Sequence, residues 1–211
     1  MDVVSEMGAT NTELVGVDVT GPETPAATAA LAVATRFYSP ALLHHCLRSY
    51  LWAAKYGETH GIVFDEELLY VSAMLHDLGL TDAFDSHRVD FEVAGGNLAW
   101  VFGVAAGWSP ERAARTEEII VLHMRPDVPA EVDAESHLLQ VATSWDVAGR
   151  RPEEFPEELR AVILNRHPRQ GFGDEFIAHF EDQARRKPDS AAAASIASNG
   201  AGRIRANPLD N

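Results

Sequence analysis

A histidine and an aspartate stand side by side at positions 76 and 77, directly after the apolar stretch "LLYVSAML". An imidazole and a carboxylate in a protein core need partners, because burying an unpaired polar or charged group is costly. The two residues could form a satisfied structural hydrogen bond. They could equally be half of a metal site, since neutral imidazole and carboxylate are common ligands of divalent ions. His76 and Asp77 alone do not decide between these interpretations.

Further imidazoles and carboxylates occur on other predicted helices. His45 lies in one helix, His123 near the end of another, and Asp146 in a fourth. Helix bundles commonly build metal sites in their cores from side chains on facing helices. The set therefore suits a divalent ion such as zinc, iron(II) or manganese, while a purely structural role for His76 and Asp77 stays open.

Helix start and stop signals place these residues on separate elements. Ser39 and Ser109 each precede a proline, which is typical of an N-cap followed by the first helical position. Gly149 is a stop signal after the helix of Asp146. Gly79 is predicted to end the helix that carries His76, and such an end is needed because neighbouring helical residues diverge by about 100°. We find no alternating strand pattern, so the sequence predicts an all-α fold.

The chain of 211 residues is long enough for one domain with a substantial core. Residues 1–24 are predicted to be a flexible lead-in, and residues 25–187 a single helical domain. Residues 188–211 are rich in alanine, serine and glycine and are predicted to form a C-terminal tail.

The amino-acid composition limits the classes of molecule that the protein is expected to bind. The net charge of -15 repels phosphate backbones and anionic membranes, so neither nucleic acid nor membrane is expected. The sequence shows no signal peptide and no apolar run near the ~20 residues of a membrane span. The single cysteine, Cys46, is expected in the core. These features predict a cytoplasmic protein that acts on a small molecule, either alone or as a homo-oligomer.

The order of the candidate ligands resembles the HD-domain superfamily of metal-dependent hydrolases. The segments "HCLR", "MLHDLG" and "SWDVAG" carry the resemblance, which spans roughly residues 36–181. It implies a single HD-type helical bundle with a metal site between its central helices. The implied ligands are His45, His76, Asp77 and Asp146, with His44 as an alternative to His45.

Within that superfamily the chain is most similar to the cyanamide hydratase-like branch. The similarity lies in "HHCLRSYLWA", "MLHDLGLTDAF", "FEVAGGNLA", "IIVLHM" and the terminal "RIRANPLDN". It implies that Glu92 and His123 line the site. The chain departs from the branch at Met124 and Arg125, where hydratases tend to carry a small hydroxyl residue. The resemblance therefore implies the fold and the metal, but it does not identify the substrate.

The activity implied by the resemblance is that of a metal-dependent hydratase or hydrolase. Metal-bound hydroxide would attack a small nitrile-type substrate such as cyanamide, giving urea. Either His123 or Glu92 would protonate the nitrogen, and Asp77 would hold the hydrogen of the nucleophile. No organic cofactor motif is present. Three further residues are predicted to contact substrate or to orient the ligands: Arg48, His87 and Trp145.

Two alternatives remain open at this point. An HD-type phosphohydrolase acting on a nucleotide or phosphomonoester would need basic groups, and the candidates near the motif are Arg48, Arg88 and Arg125. The acidic balance of the chain counts against this reading. A non-catalytic regulatory HD domain is the other alternative, but such domains usually lose ligands, and here the implied set is complete.

Overall fold

A computed structural model describes residues 20–210. This part of the chain is helical and contains no strand, which confirms the all-α prediction. Among the described residues, no helix combines the length and apolar character required to cross a membrane. Short 3-10 turns cover residues 78–80, 152–154 and 208–210. The α-helices are α1 (Pro25–Phe37), α2 (Pro40–His60), α3 (Glu66–Leu75), α4 (Phe91–Ala105), α5 (Pro110–Leu122), α6 (Ala134–Ala148), α7 (Glu157–Arg166), α8 (Phe172–Arg186), α9 (Ala191–Ala197) and α10 (Gly200–Arg205).

The helix starts follow the capping signals of the sequence. The Ser39 hydroxyl accepts a hydrogen bond from the Leu42 amide, and the Ser109 hydroxyl accepts one from the Arg112 amide. Asp65 caps α3 in the same way, and acidic residues follow it in the first turn. These contacts satisfy amides that would otherwise lack a partner at a helix start. The predicted N-caps Ser39 and Ser109 are confirmed.

Helix α2 is the centre of the bundle. It contacts α3, α6 and α8, and α1 packs beside it against α3. The apolar residues between these helices form one continuous core, and its largest fully buried members include Trp52, Leu69, Met74, Trp145 and Phe155. The candidate ligands lie on the inner faces of α2, α6 and the end of α3.

The end of α3 differs in detail from the sequence-based expectation. The helix ends at Leu75, before His76, whereas the sequence predicted that Gly79 ends it. Gly79 has no positive φ, so it is not a left-handed stop residue. Instead, a Cβ on Gly79 would lie 2.1 Å from the carbonyl oxygen of Phe91, at the start of α4. Gly79 therefore allows α4 to approach the residues that follow the candidate ligands.

The C-terminal segment that the structure describes packs against the bundle. Residues 188–211 were predicted to be a tail, but in the described part, up to residue 210, α9 and α10 form and pack against α6 and α8, followed by a 3-10 turn. The side-chain amide of Asn207 donates a hydrogen bond of 2.9 Å to the backbone carbonyl of Asp146. The Arg169 guanidinium donates to the same carbonyl. The predicted lead-in, residues 1–24, falls largely outside the described residues.

Candidate metal centre

Three buried side chains meet in the middle of the bundle, one from a helix and two from the turn that follows another helix. His45 lies in α2, whereas His76 and Asp77 follow the end of α3. The His45 Nε2 and His76 Nε2 atoms are 3.2 Å apart. The Asp77 Oδ2 atom lies 3.5 Å from His45 Nε2 and 3.3 Å from His76 Nε2. Each of the three residues is at most 1% exposed.

The size of this triangle fits a bound divalent ion. Imidazole nitrogens and carboxylate oxygens bind zinc at about 2.1 Å, which puts tetrahedral ligand atoms about 3.4 Å apart. The three edges of 3.2, 3.3 and 3.5 Å are close to that value. His45, His76 and Asp77 also form the one group among the described residues whose ligand atoms lie close enough to share an ion. The geometry of the donor set therefore suits a metal.

The hydrogen bonds behind the two histidines fix their tautomers. The Nδ1 atom of His45 lies 2.7 Å from Asp146 Oδ2, and the Nδ1 atom of His76 lies 2.8 Å from the carbonyl oxygen of Ala73. Carboxylates and carbonyls only accept hydrogen bonds, so each Nδ1 carries the proton. In the neutral rings each Nε2 atom then carries a lone pair that points into the triangle. This arrangement is typical of metal-binding histidines, whose other nitrogen donates to a carboxylate or carbonyl.

Asp77 supplies the negative charge of the triangle. Neither of its buried carboxylate oxygens has a hydrogen-bond partner among the described residues. Burial opposes ionisation, yet the neighbouring His76 charge lowers the pKa of Asp77 to about 2. Burial alone would likewise lower the pKa of His76, but the Asp77 carboxylate raises it well above the usual range. The triangle therefore attracts a positive charge, which a proton or a metal ion can supply.

Asp146 lies behind His45, outside the triangle. Its carboxylate accepts two hydrogen bonds of 2.8 Å from the Arg48 guanidinium and one of 2.8 Å from the Trp52 indole. Burial opposes ionisation, but the Arg48 charge holds the pKa of Asp146 well below its usual range. With both oxygens engaged in this way, Asp146 orients the His45 ring. Its sequence-based assignment as a fourth ligand stays a prediction that this placement does not support.

One face of α2 carries the residues of this cluster. His45, Arg48 and Trp52 are separated by three and four positions, so their side chains project from the same face. Phe172 of α8 stacks on the His45 ring with a centroid distance of 4.5 Å. Trp52 was expected only as a core residue, although its spacing from His45 and Arg48 could have indicated its role as a donor to Asp146. Arg48 orients the Asp146 carboxylate, whereas its role towards substrate or metal ligands stays a prediction.

A cavity of about 570 Å³ opens on the triangle and is lined by all three of its residues. Its walls also include Glu92 and His123, as the resemblance implied. Glu92 is 6% exposed, and its Oε2 atom has no partner among the described residues. Burial raises the pKa of Glu92. The acid form of this carboxyl therefore persists to a higher pH than that of an exposed glutamate, which suits a general acid.

His123 presents a hydrogen-bond acceptor to the same cavity. Its Nδ1–H donates to the backbone carbonyl of Ile120, which leaves Nε2 as the lone-pair nitrogen. The ring centroid lies 5.0 Å from that of His76. Burial, together with repulsion from His76, lowers the pKa of His123 to about 3. His123 is therefore neutral at working pH and accepts a hydrogen bond there.

Several other predicted site residues lie elsewhere. His44 binds the carbonyl of Pro168 through Nδ1, at 2.9 Å, so His45 is the α2 histidine that faces the triangle. His87 is exposed and does not line the cavity. Trp145 stacks on Phe155 in the core, at a centroid distance of 4.9 Å, and does not line the cavity. No contact with the cavity supports a substrate-binding role for His87 or Trp145.

Comparison with known proteins agrees with this geometry. The chain matches the HD domain family over residues 42–164, more than half of its length. It is also similar to two proteins of Saccharomyces cerevisiae, cyanamide hydratase DDI2 and cyanamide hydratase DDI3. The identity is 28% over 127 residues in each case, which is 59% of this chain and 56% of each relative. The chain thus spans little more than half the length of these relatives. Because the family match includes the residues of the buried triangle, we conclude that the chain belongs to the HD domain family.

Proposed function

We propose that the protein is a metal-dependent hydratase that adds water to a nitrile such as cyanamide. The observation that carries the proposal is the buried triangle of His45, His76 and Asp77, which faces a cavity lined by a protonatable carboxyl. The similarity to the two yeast cyanamide hydratases supports the choice of reaction. Zinc suits the donor set best, since two imidazoles and one carboxylate leave a coordination position open for water.

The ion would be held by His45, His76 and Asp77. When bound, a divalent ion supplies a water of lowered pKa, which is a good nucleophile near neutral pH. His45 is kept in the binding tautomer by Asp146, and His76 by the carbonyl of Ala73. These contacts fix the ring orientations before substrate arrives, so little reorganisation is needed.

Glu92 and His123 have different roles in the proposed reaction, one as a proton donor and the other as a hydrogen-bond acceptor. Hydration of a nitrile forms a carbon–oxygen bond and places a proton on the nitrile nitrogen. Glu92 supplies that proton, because burial raises its pKa and keeps the acid form available. His123, with its lowered pKa, accepts a hydrogen bond from the attacking water or from the amino group of cyanamide. One proton of the water restores the acid form of Glu92. The other moves from the new hydroxyl group to the nitrogen when the imidic acid tautomerises, so water and cyanamide together account for all atoms of urea.

Two of the three arginines predicted to bind phosphate in the phosphohydrolase alternative do not line the cavity. Arg48 is fully buried and bound to Asp146, and Arg88 is exposed and does not line the cavity. Arg125 lines the cavity together with Arg150 and Arg203. Asp77, Asp90 and Asp189 line it too, so no net positive charge favours a phosphate there. We therefore place hydration above phosphate release.

A direct assay tests the proposed reaction. Zinc-loaded protein is incubated with cyanamide and, separately, with a panel of nucleoside mono- and triphosphates and a phosphomonoester. We expect urea from cyanamide and no phosphate from the panel. His76→Ala should lose urea formation, whereas His179→Ala on the surface of α8 should retain it. Phosphate release without any urea would overturn the proposed function.

A further inference from the structure

The cavity is much larger than cyanamide requires. Its volume of about 570 Å³ lies within the range of about 300–1,000 Å³ that is typical of sites for drug-sized ligands. Cyanamide consists of one carbon and two nitrogens besides hydrogen, so it would leave most of this space to water. We propose that the preferred substrate is an uncharged organic nitrile far larger than cyanamide. This inference rests on the hydratase function proposed above.

The space lies between α6 and the C-terminal helices. On α6 the lining residues recur at helical spacing and form one face: Gln140, Thr143, Ser144, Val147 and Ala148. On α9 the lining residues also form one face, with small side chains: Ala191, Ala194 and Ser195. Longer side chains at these α9 positions would project into the cavity. The alanine- and serine-rich composition of the C-terminal segment thus keeps the space open.

A buried polar group without a partner in the described part of the chain lies in the wall of this space. Glu92 is 6% exposed, and its Oε2 atom lacks a partner among the described residues while the residue lines the cavity. A buried carboxyl without a partner is costly, and a bound ligand that accepts or donates a hydrogen bond there removes the cost. The position of Glu92 in the same cavity as the triangle orients such a ligand with its polar end inward.

The charges of the walls favour an uncharged ligand body. Three arginines line the cavity, Arg125, Arg150 and Arg203, and three aspartates line it as well, Asp77, Asp90 and Asp189. With Glu92 in its acid form these charges balance, so the cavity does not select strongly for either sign. Aromatic and aliphatic side chains complete the walls, including Phe176, Phe180 and Val147. An aryl or arylalkyl nitrile matches this lining.

The inference is tested with zinc-loaded protein and a nitrile series. The probes are cyanamide, benzonitrile, phenylacetonitrile and the anionic para-cyanobenzoate. We expect kcat/KM for phenylacetonitrile to exceed that for cyanamide by at least about tenfold, because the larger body buries apolar surface. We expect para-cyanobenzoate to be poorer than benzonitrile.

A variant in the α9 wall supplies a second readout. Ala194→Phe should lower the ratio of kcat/KM for phenylacetonitrile to that for cyanamide by about tenfold or more, because the new ring occupies the ligand space. Ala197→Phe is the matched control, since Ala197 is an exposed residue of the same helix that does not line the cavity. Calorimetric titration with phenylacetamide, the product, should show binding to the wild type and to Ala197→Phe but much weaker binding to Ala194→Phe.

The outcomes separate this inference from the proposed function. Turnover of cyanamide with no turnover of either larger uncharged nitrile would overturn the inference and leave the hydratase function in place. An unchanged substrate ratio and unchanged phenylacetamide binding in Ala194→Phe would also overturn it. Absence of urea and of every amide from fully zinc-loaded protein would overturn the proposed function, and the inference with it.

Discussion

His45 and His76 direct their Nε2 atoms towards each other across 3.2 Å, and in the neutral rings neither atom carries a hydrogen. Two lone pairs at this distance repel each other unless a positive charge lies between or beside them. Asp77 adds a carboxylate oxygen at 3.3 Å from His76. The protein therefore maintains, in its core, an arrangement that a cation stabilises. In metal-free protein a proton on His76 takes this role, so metal binding should release a proton.

Asp146→Asn should weaken metal binding and destabilise the fold. The substitution removes the charge that pairs with the buried Arg48 guanidinium, and breaking a buried ion pair costs about 3–5 kcal/mol. It also loosens the orientation of His45, for which a loss of about 10–100-fold in metal affinity is typical. Competition with a chelator measures the affinity, and denaturant unfolding measures the free energy of unfolding. The exposed Asp127→Asn is the control.

The same variant should change the response to acid. The pKa of Asp146 is held well below its ordinary value of 3.8 in the folded protein. A depressed pKa contributes stability that is present above the unfolded pKa and is lost as pH falls towards the folded one. The free energy of unfolding of metal-free wild type should therefore fall more steeply below about pH 4 than that of Asp146→Asn. Equal slopes would show that the Asp146 charge does not stabilise the fold.

Glu92→Gln should lower activity and alter its pH dependence. Because burial raises the pKa of Glu92, the acid form persists above the ordinary value of 4.5 and is lost as pH rises through the raised pKa. Activity that depends on this acid should therefore decline as the pH rises through the raised pKa of Glu92. Because glutamine does not titrate, Glu92→Gln should not show this decline, and its kcat/KM should be lower by about 10²–10⁴-fold. The exposed Glu131→Gln should behave as wild type. If the decline of activity with rising pH persists in Glu92→Gln, another group is responsible for it.

Gly79→Ala should destabilise the protein although it adds only a methyl group. The added Cβ would lie 2.1 Å from the backbone carbonyl oxygen of Phe91, which cannot move away as a flexible side chain could. Overpacking of this kind costs about 1–3 kcal/mol. Gly173→Ala is the matched control, because its Cβ would have no neighbour closer than 3.5 Å. Thermal unfolding should show a lower Tm for Gly79→Ala alone, and equal Tm values would contradict the role assigned to Gly79.

The sequence was sufficient where the information is local. A serine before a proline fixes a helix start through one capping hydrogen bond, so Ser39 and Ser109 were predicted correctly. His45, His76 and Asp77 were brought together as expected, because the spacing of their helices and the resemblance both pointed to one site. Polar residues directly after an apolar helical run, such as His76 and Asp77, therefore helped to predict the site from the sequence.

The remaining features depend on contacts between distant segments. The tail prediction relied on composition, but Asn207 binds the carbonyl of Asp146 and the small residues of α9 line the cavity. Trp145 adjoins Asp146 in sequence, yet successive helical residues point about 100° apart, and it packs in the core. Whether Asp146 faces a metal or the back of His45 depends on Arg48 and Trp52, whose hydrogen bonds only the folded bundle displays.

The metal content of the purified protein tests the central claim most directly. Elemental analysis of wild type, His76→Ala and Asp77→Asn is compared with His179→Ala, a histidine of α8 outside the triangle. We expect about one divalent ion per chain in wild type and His179→Ala, and a loss of most bound metal in the two triangle variants. Stoichiometric metal in folded His76→Ala and Asp77→Asn, or active wild-type protein without metal, would contradict the assignment of His45, His76 and Asp77 as the metal centre.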